Sequence, residues 1–433
     1  MSLESPENRP SAHANGVRSD VSDVAADGPF VTNGNGHANG NGHANGNGHP
    51  NGNGHANGNG HANGNGKADG KLDLSAFRPH GDSPNGHIVS RPVRVAVVGL
   101  GYWGPNLVRN LQEVDEAEIV CACDAQPTAL ERIGRRYPSI GLTPKYDEVL
   151  ADPSIEAVAI ATPVSTHFPL ALAALEAGKH VFVEKPLAAS TDEVEKLIAA
   201  ADLYGRVLMP GHTFLYSPSV NMIRQMIDAG ELGEIYFIST SRVNLGLHQR
   251  DVSVAWDLGP HDFSILRYWL GETPTHATAL SRGCVIPNTP DVAFINLEFP
   301  SGAIAHLELS WLAPMKLRRT TIVGSRKMVV YDDTNPSEPV RVFDSGVMLK
   351  DPATFGEYQL TYRTGDIVSP RLDVAEPLSL ELTDFCTAIR TGTTPRSCRE
   401  LGLEVVRIIE AVDASLDRDG SRIELASTAS VLV

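Results

Sequence analysis

The 433-residue sequence predicts an α/β protein with two folded parts and a disordered N-terminal tail. The first part, residues 91–212, reads as a parallel, doubly wound sheet. The second, residues 213–433, reads as an α+β domain built on a large, mostly antiparallel sheet. Three observations predict this. Strand-like and helix-like segments alternate from Val93 to Met209. Beyond His212 that rhythm gives way to short strands joined by turns. Residues 1–88 carry no apolar periodicity, and between Asn33 and Gly66 they repeat Asn-Gly-Asn-Gly-His-Ala.

The repeat places His37, His43, His49, His55 and His61 six residues apart. Glycine dominates and apolar side chains are almost absent, so the segment cannot bury enough surface to offset its backbone entropy. Spaced imidazoles can chelate a metal, but a flexible solubilising tail is the simpler reading, and no metal centre is expected. The net charge of −16 argues against nucleic acid or an anionic membrane as a partner. No apolar run reaches bilayer length. The opening residues Met1-Ser-Leu-Glu-Ser-Pro-Glu-Asn lack the basic and apolar regions of a secretory signal. The five cysteines are an odd number without scaffold spacing; Cys121 and Cys123 share one face of a strand, where a buried apolar role is expected. These features predict a cytoplasmic location.

The elements follow in order. Val93–Gly99 is rich in β-branched residues and reads as a strand, and Pro105 opens a helix to Gln112. The pattern repeats as strand Glu118–Asp124, helix Thr128–Arg136, strand Ala157–Ala161, helix Pro169–Ala177, strand His180–Val183, helix Thr191–Tyr204 and strand Val207–Met209. After helix Ser219–Asp228 come strands Glu234–Val243, Thr275–Arg282, Asp291–Phe299, Ala303–Leu309, Arg318–Gly324 and Lys327–Asp332, with hairpin turns at Pro300-Ser-Gly302 and Gly324-Ser-Arg326. A helix is expected over Phe263–Leu270, and two more over Leu378–Arg390 and Arg399–Leu416, whose apolar faces must pack back on the body. The open face of the antiparallel sheet needs a cover, which predicts a homodimer or homotetramer.

The strongest chemical signal is the loop Gly99-Leu100-Gly101-Tyr102-Trp103-Gly104 between the first strand and first helix. Gly99 permits the tight turn, Gly101 lets a pyrophosphate approach the backbone, and Gly104 lets helix and strand pack closely. The helix would aim its N-terminal amides at the phosphates. Twenty residues past Gly104, Asp124 ends the second strand, placed to bond ribose hydroxyls and repel a 2′-phosphate. The expected cofactor is NAD, with NADP disfavoured. Lys185, between Glu184 and Pro186 at a strand end, would face the mouth of that cleft; a solvated turn lysine is the plainer alternative. Asp257 and His261 lie four apart, a spacing that suits a carboxylate orienting an imidazole, or equally an N-cap and an ordinary helix residue.

Gly-Leu-Gly-Tyr-Trp-Gly, Ala-Thr-Pro-Val-Ser-Thr-His (161–167), Val-Glu-Lys-Pro-Leu-Ala (183–188) and Asp-Leu-Gly-Pro-His (257–261), in this order, resemble the glucose–fructose oxidoreductase / inositol dehydrogenase / MocA family. The resemblance runs from Arg91 to the C-terminus. It implies a Rossmann domain and hydride transfer between nicotinamide and a sugar carbon bearing a hydroxyl. It implies that Lys185, Asp257 and His261 are catalytic, and that Thr162, Pro163, His167 and Glu184 border the cofactor alongside the glycine loop. Where family members often carry paired glycines before the aspartate, this chain has Val252-Ser-Val-Ala-Trp256. Segments 211–216, 242–247, 318–325 and 365–373 are similar to the branch acting on UDP-N-acetylglucosamine and its uronate at C3. That likeness implies a UDP-linked amino sugar oxidised to a 3-ketosugar, with His212, Tyr216, Arg242, Asn244, Trp256, Arg318 and Arg319 on the substrate side. Ketosugar reduction, a free sugar or inositol as substrate, and a dinucleotide-sensing regulator are the alternatives; the presence of Lys185, Asp257 and His261 argues against the last.

Overall fold

The computed structural model describes residues 91–246, 248, 252–350 and 359–425. The expected disordered tail lies outside the described residues.

The first sheet is parallel throughout. Its strands are β1 (Val93–Val98), β2 (Ala117–Cys123), β3 (Gly141–Thr143), β4 (Ala157–Ile160), β5 (His180–Glu184) and β6 (Leu208–Gly211). Helices α1 (Gly104–Leu111), α2 (Pro127–Arg136), α3 (Tyr146–Ala151), α4 (His167–Glu176) and α5 (Thr191–Tyr204) connect them. Val93, Val95, Ala96 and Val97 of β1 and all four residues of β4 are fully buried, the near-continuous apolar run of strands covered on both faces. The strand order is β3-β2-β1-β4-β5-β6. Connections leave β1 and β4 in opposite directions, so the loops after those two strands part and leave a crevice.

The second sheet has nine strands in the order β14-β13-β12-β11-β7-β10-β9-β8-β15. Helix α6 (Pro218–Asp228) leads into β7 (Ile235–Leu245), and α7 (Val254–Leu270) into β8 (His276–Arg282), β9 (Val292–Glu298) and β10 (Ile304–Ser310). Strands β11 (Leu312–Gly324), β12 (Met328–Asp332), β13 (Val340–Lys350) and β14 (Gln359–Val368) follow, then helices α8 (Pro377–Thr391) and α9 (Arg399–Leu416) and the short β15 (Ile423–Glu424). All pairings are antiparallel except β7 with β10. Alternate residues of β7 face inward, where Ile238, Thr240 and Arg242 are buried. Phe263, Leu266 and Trp269 of α7 and Val405, Ile409 and Val412 of α9 close over that inner face.

Helices α8 and α9 also grip the parallel sheet. Arg390 bonds Glu156 at 2.8 Å, and Arg407 bonds Glu195 at 2.7 Å. The Thr191 backbone and hydroxyl both donate to Glu410.

Several elements differ from the sequence reading. Helix α7 starts at Val254, well before the expected Phe263, and carries Gly259-Pro260, which reads as a breaker, inside it. The glycine is required here: a Cβ on Gly259 would stand 2.7 Å from the Phe263 ring. Strands β13 and β14 and the pair β3 and α3 were not expected. Strand β11 begins earlier, with an irregular register between Leu312 and Leu317.

Candidate active site

The glycine loop follows β1 into α1. Gly99 has φ +89°, and a Cβ there would lie 2.6 Å from the Ala161 carbonyl oxygen. A Cβ on Gly104 would lie 1.9 Å from the Gly99 oxygen, so both positions exclude side chains. At Gly101 no atom lies within 4 Å of where a Cβ would be. That open backbone, beside the first turn of α1, suits a pyrophosphate, so the residues present fit a dinucleotide. Asp124 accepts from the Leu100 amide at 2.6 Å and the Gln126 amide at 2.7 Å, and stays half-buried at the crevice edge. The Arg132 guanidinium of α2 donates to the Leu100 and Gly101 carbonyls at 2.5 and 3.3 Å. Tyr102 is exposed, and Trp103 lies beside Glu184.

Opposite, the loop after β4 carries Thr162 and exposed Pro163. His167 is buried, with its ring nitrogens 2.8 Å from the Pro186 carbonyl and 2.9 Å from the Thr162 carbonyl. Burial holds its pKa below the ordinary value. His167 therefore ties the β4 loop to the β5 loop, acting on the crevice wall through the backbone. Glu184 ends β5; burial raises its carboxyl to about 7, against the pull of Lys185.

Lys185 extends from the end of β5 to the start of α7. Its Nζ donates to the Asp257 backbone carbonyl at 2.7 Å and to Asp257 Oδ1 at 3.2 Å. Pro260 supplies no amide for the Trp256 carbonyl one turn back, which loosens the turn that presents the Asp257 carbonyl. The Trp311 indole donates to Asp257 Oδ2 at 3.1 Å. The Asp257 carboxylate is thus held by Lys185 and Trp311. It makes no ion pair with His261 among the described residues. The four-residue spacing suggested that Asp257 orients the imidazole; a lysine 72 positions away in sequence takes that carboxylate instead.

His261 packs edge-on against Phe214, ring centroids 5.0 Å apart. Burial, then Lys185, Arg242 and Arg318, push its pKa well below the ordinary value, so the ring is neutral. His212 is 1 % exposed, and neither ring nitrogen has a partner among the described residues. Burial, then Lys185, pushes it down to about 3.

The predicted substrate residues divide. Arg242 and Arg318 are cross-strand partners on the inner face, both reaching Phe214, and Asn244 continues that face. Arg319, the next residue of β11, is exposed on the opposite face, so it lies away from the site. Tyr216 is also turned away: its hydroxyl donates to Asp384 at 2.6 Å and accepts from the Ser397 amide. The Trp256 indole donates to Asp413 on α9. Both are held in the packing between the sheet ends and the C-terminal helices. The sequence reading missed Trp311, Phe214 and Asp262; only Asp262, adjacent to His261, carried a local signal.

Residues 93–212 match the family model described as an oxidoreductase family with an NAD-binding Rossmann fold, and residues 220–330 match the corresponding Gfo/Idh/MocA C-terminal domain. The chain is 33 % identical over 320 residues to scyllo-inositol 2-dehydrogenase (NAD(+)) of Bacillus subtilis, covering 70 % of this chain and 88 % of that one. Among solved structures, GenD2 from gentamicin A biosynthesis, in complex with NAD, aligns with TM-score 0.67 at 24 % identity, covering 80 % of this chain and all of its own. A UDP-N-acetylglucosamine 3-dehydrogenase from Acidithiobacillus ferrooxidans aligns with TM-score 0.63 at 24 % identity, covering 75 % of this chain and 97 % of its own. The chain belongs to the Gfo/Idh/MocA family of NAD-binding oxidoreductases.

Proposed function

We propose that this protein is an NAD-dependent sugar dehydrogenase that oxidises a ring CH–OH, at C3 of a UDP-linked amino sugar, to the ketone. One observation carries the reading. The Lys185 ammonium, at the end of β5 beside the glycine loop, is fixed by two oxygens of Asp257 on the helix that also bears neutral His261. The inositol dehydrogenase relative supports oxidation of a secondary ring alcohol. The choice of a UDP-linked amino sugar rests on the four sequence segments named above.

Bound NAD supplies the hydride acceptor, nicotinamide C4. The chain supplies the rest. Lys185 donates a hydrogen bond to the reacting oxygen and stabilises the negative charge that develops there. Asp257 and Trp311 hold Lys185 in place. His261, neutral in the free protein, accepts the hydroxyl proton. The reverse reduction uses the same groups. We further infer a homodimer or homotetramer closed through the outer face of the nine-stranded sheet. A cytoplasmic setting accords with five unpaired cysteines.

The test is an absorbance assay of NADH formation on UDP-N-acetylglucosamine, its uronate, free glucose and myo-inositol, with NAD binding followed by fluorescence. Lys185→Ala should leave NAD affinity nearly unchanged and lower turnover by about 10²–10⁴-fold, the range for losing a positioned proton-transfer or oxyanion-stabilising group. Near-normal turnover in that variant removes the mechanism. Activity confined to the free polyols removes the UDP-sugar assignment.

A further inference from the structure

Arg242 on β7 and Arg318 on β11 stand directly opposite each other in the antiparallel register. Like charges across a ladder repel, so each needs an anion. Asp262 takes the Nε and Nη2 of Arg242 at 2.7 and 3.0 Å, and Asp333 takes Arg318 at 3.0 Å. Those contacts do not complete the set. Arg242 Nη1, on the far side of the guanidinium from the Asp262-bonded edge, is buried in a side chain 6 % exposed and has no acceptor among the described residues. A buried charged donor without an acceptor is rare in a finished packing arrangement and marks a place where one is missing. Its position points to the substrate. The Arg242 and Arg318 guanidinium carbons lie 4.7 and 5.9 Å from the centroid of Phe214, the ring whose other neighbour is His261.

We propose that the substrate carries an anionic group, a carboxylate or a phosphate oxygen, and that Arg242 Nη1 and Arg318 hold it beside His261. This rests on the reading of the site as a dehydrogenase of a UDP-linked amino sugar and deepens it by naming the two arginines that receive the substrate's charge, a charge that neutral polyols lack. Of the two arginines, Arg318 is a third exposed and can meet a ligand from solvent, whereas Arg242 supplies a fixed, buried donor. The charges that face His261 agree. Lys185, Arg242 and Arg318 all act on it, while Asp257 and Asp262 are engaged by Lys185 and Arg242. An anion bound between the arginines offsets that positive field and returns basicity to the imidazole when substrate is present.

The experiment pairs anionic and neutral probes on the NAD-loaded protein. Calorimetry measures binding of glucuronate, UDP, glucose and myo-inositol, and kcat/KM is measured for whichever sugars turn over. Glucuronate separates a ring carboxylate from the phosphate source, which UDP reports. At least one anion is expected to bind more tightly than its neutral counterpart. Arg318→Gln should reduce that anionic-over-neutral ratio by about tenfold or more, the worth of one charge-assisted contact. Arg318→Lys should keep most of the ratio, and the melting temperatures of both variants report whether they fold. Equal binding of anionic and neutral probes, or an unchanged ratio in Arg318→Gln, overturns the proposal. If no sugar is oxidised but anion binding is lost in Arg318→Gln, the dehydrogenase reading fails and the anion subsite stands.

Discussion

His212 sits inside the protein with neither ring nitrogen bonded among the described residues and with Lys185 nearby, an arrangement that holds only while the ring is neutral. Its folded pKa of about 3 lies below the ordinary 6.5. Below pH 6.5 the unfolded chain takes up a proton that the folded chain refuses. Stability from this group is therefore full above pH 6.5 and declines as pH falls toward 3, by at most ~1.4 kcal/mol per pH unit. His180, pushed down to about 4 by burial, acts in the same direction, as do His167 and His261. Glu184 acts oppositely: raised from 4.5 to about 7, it costs stability as pH rises through that window. His212→Asn should make the fall in melting temperature between pH 7 and pH 5 shallower than in the wild type. An identical slope in the two proteins would show that His212 is protonated in the fold.

At the scale of elements, the end of β2 and the first turns of α2 set cofactor choice. The Asp124 carboxylate occupies the crevice edge, while Arg132 is drawn onto the glycine-loop carbonyls nearby. Wild-type protein should prefer NAD. Asp124→Ser removes the repelling charge and leaves Arg132 to meet a 2′-phosphate, so NADP efficiency should rise by about tenfold, some ~1.4 kcal/mol. Adding Arg132→Ala should cancel the gain. Steady-state kinetics with both cofactors decides it, and equal efficiency of wild type with NADP refutes it. This loop was legible in the sequence because a tight βα turn demands glycine at Gly99 and Gly104 and a central parallel strand demands an unbroken apolar run. The start of α7 was not, because Gly259-Pro260 has the local signature of a break while the cause of the glycine, the Phe263 ring, lies in the packing. Nor was the partner of Asp257: helical spacing speaks only for neighbours on one helix, and Lys185 arrives from another sheet. Arg318 and Arg319 could be split into inward and outward only once the register against Arg242 was known.

Over the whole molecule, the outer face of the nine-stranded sheet leaves Phe237, Leu280, Phe294 and Ile304 between 44 and 63 % exposed on four adjacent strands. They stand in register as two pairs, Phe237 with Ile304 and Leu280 with Phe294, parted by the row Thr278, Asn296 and His306, and exposed apolar pairs on a regular sheet suit a like surface. Sedimentation at micromolar concentration should find a dimer or tetramer, and Phe294→Glu should dissociate it with little change in the monomer's circular dichroism. A monomeric wild type would refute this. Another consequence follows from the one parallel pairing in the nine-stranded sheet among the described residues, β7 with β10. Parallel neighbours cannot be joined by a hairpin, and the chain between them contains α7, β8 and β9. The helix that bears Asp257 and His261 is therefore part of the crossover that lets the centre of the sheet form. In refolding, the pairing of β10 with β7 closes a loop that contains this whole stretch. Recovery of activity should keep pace with recovery of sheet structure, and no long-lived species should have the complete sheet and an unformed α7.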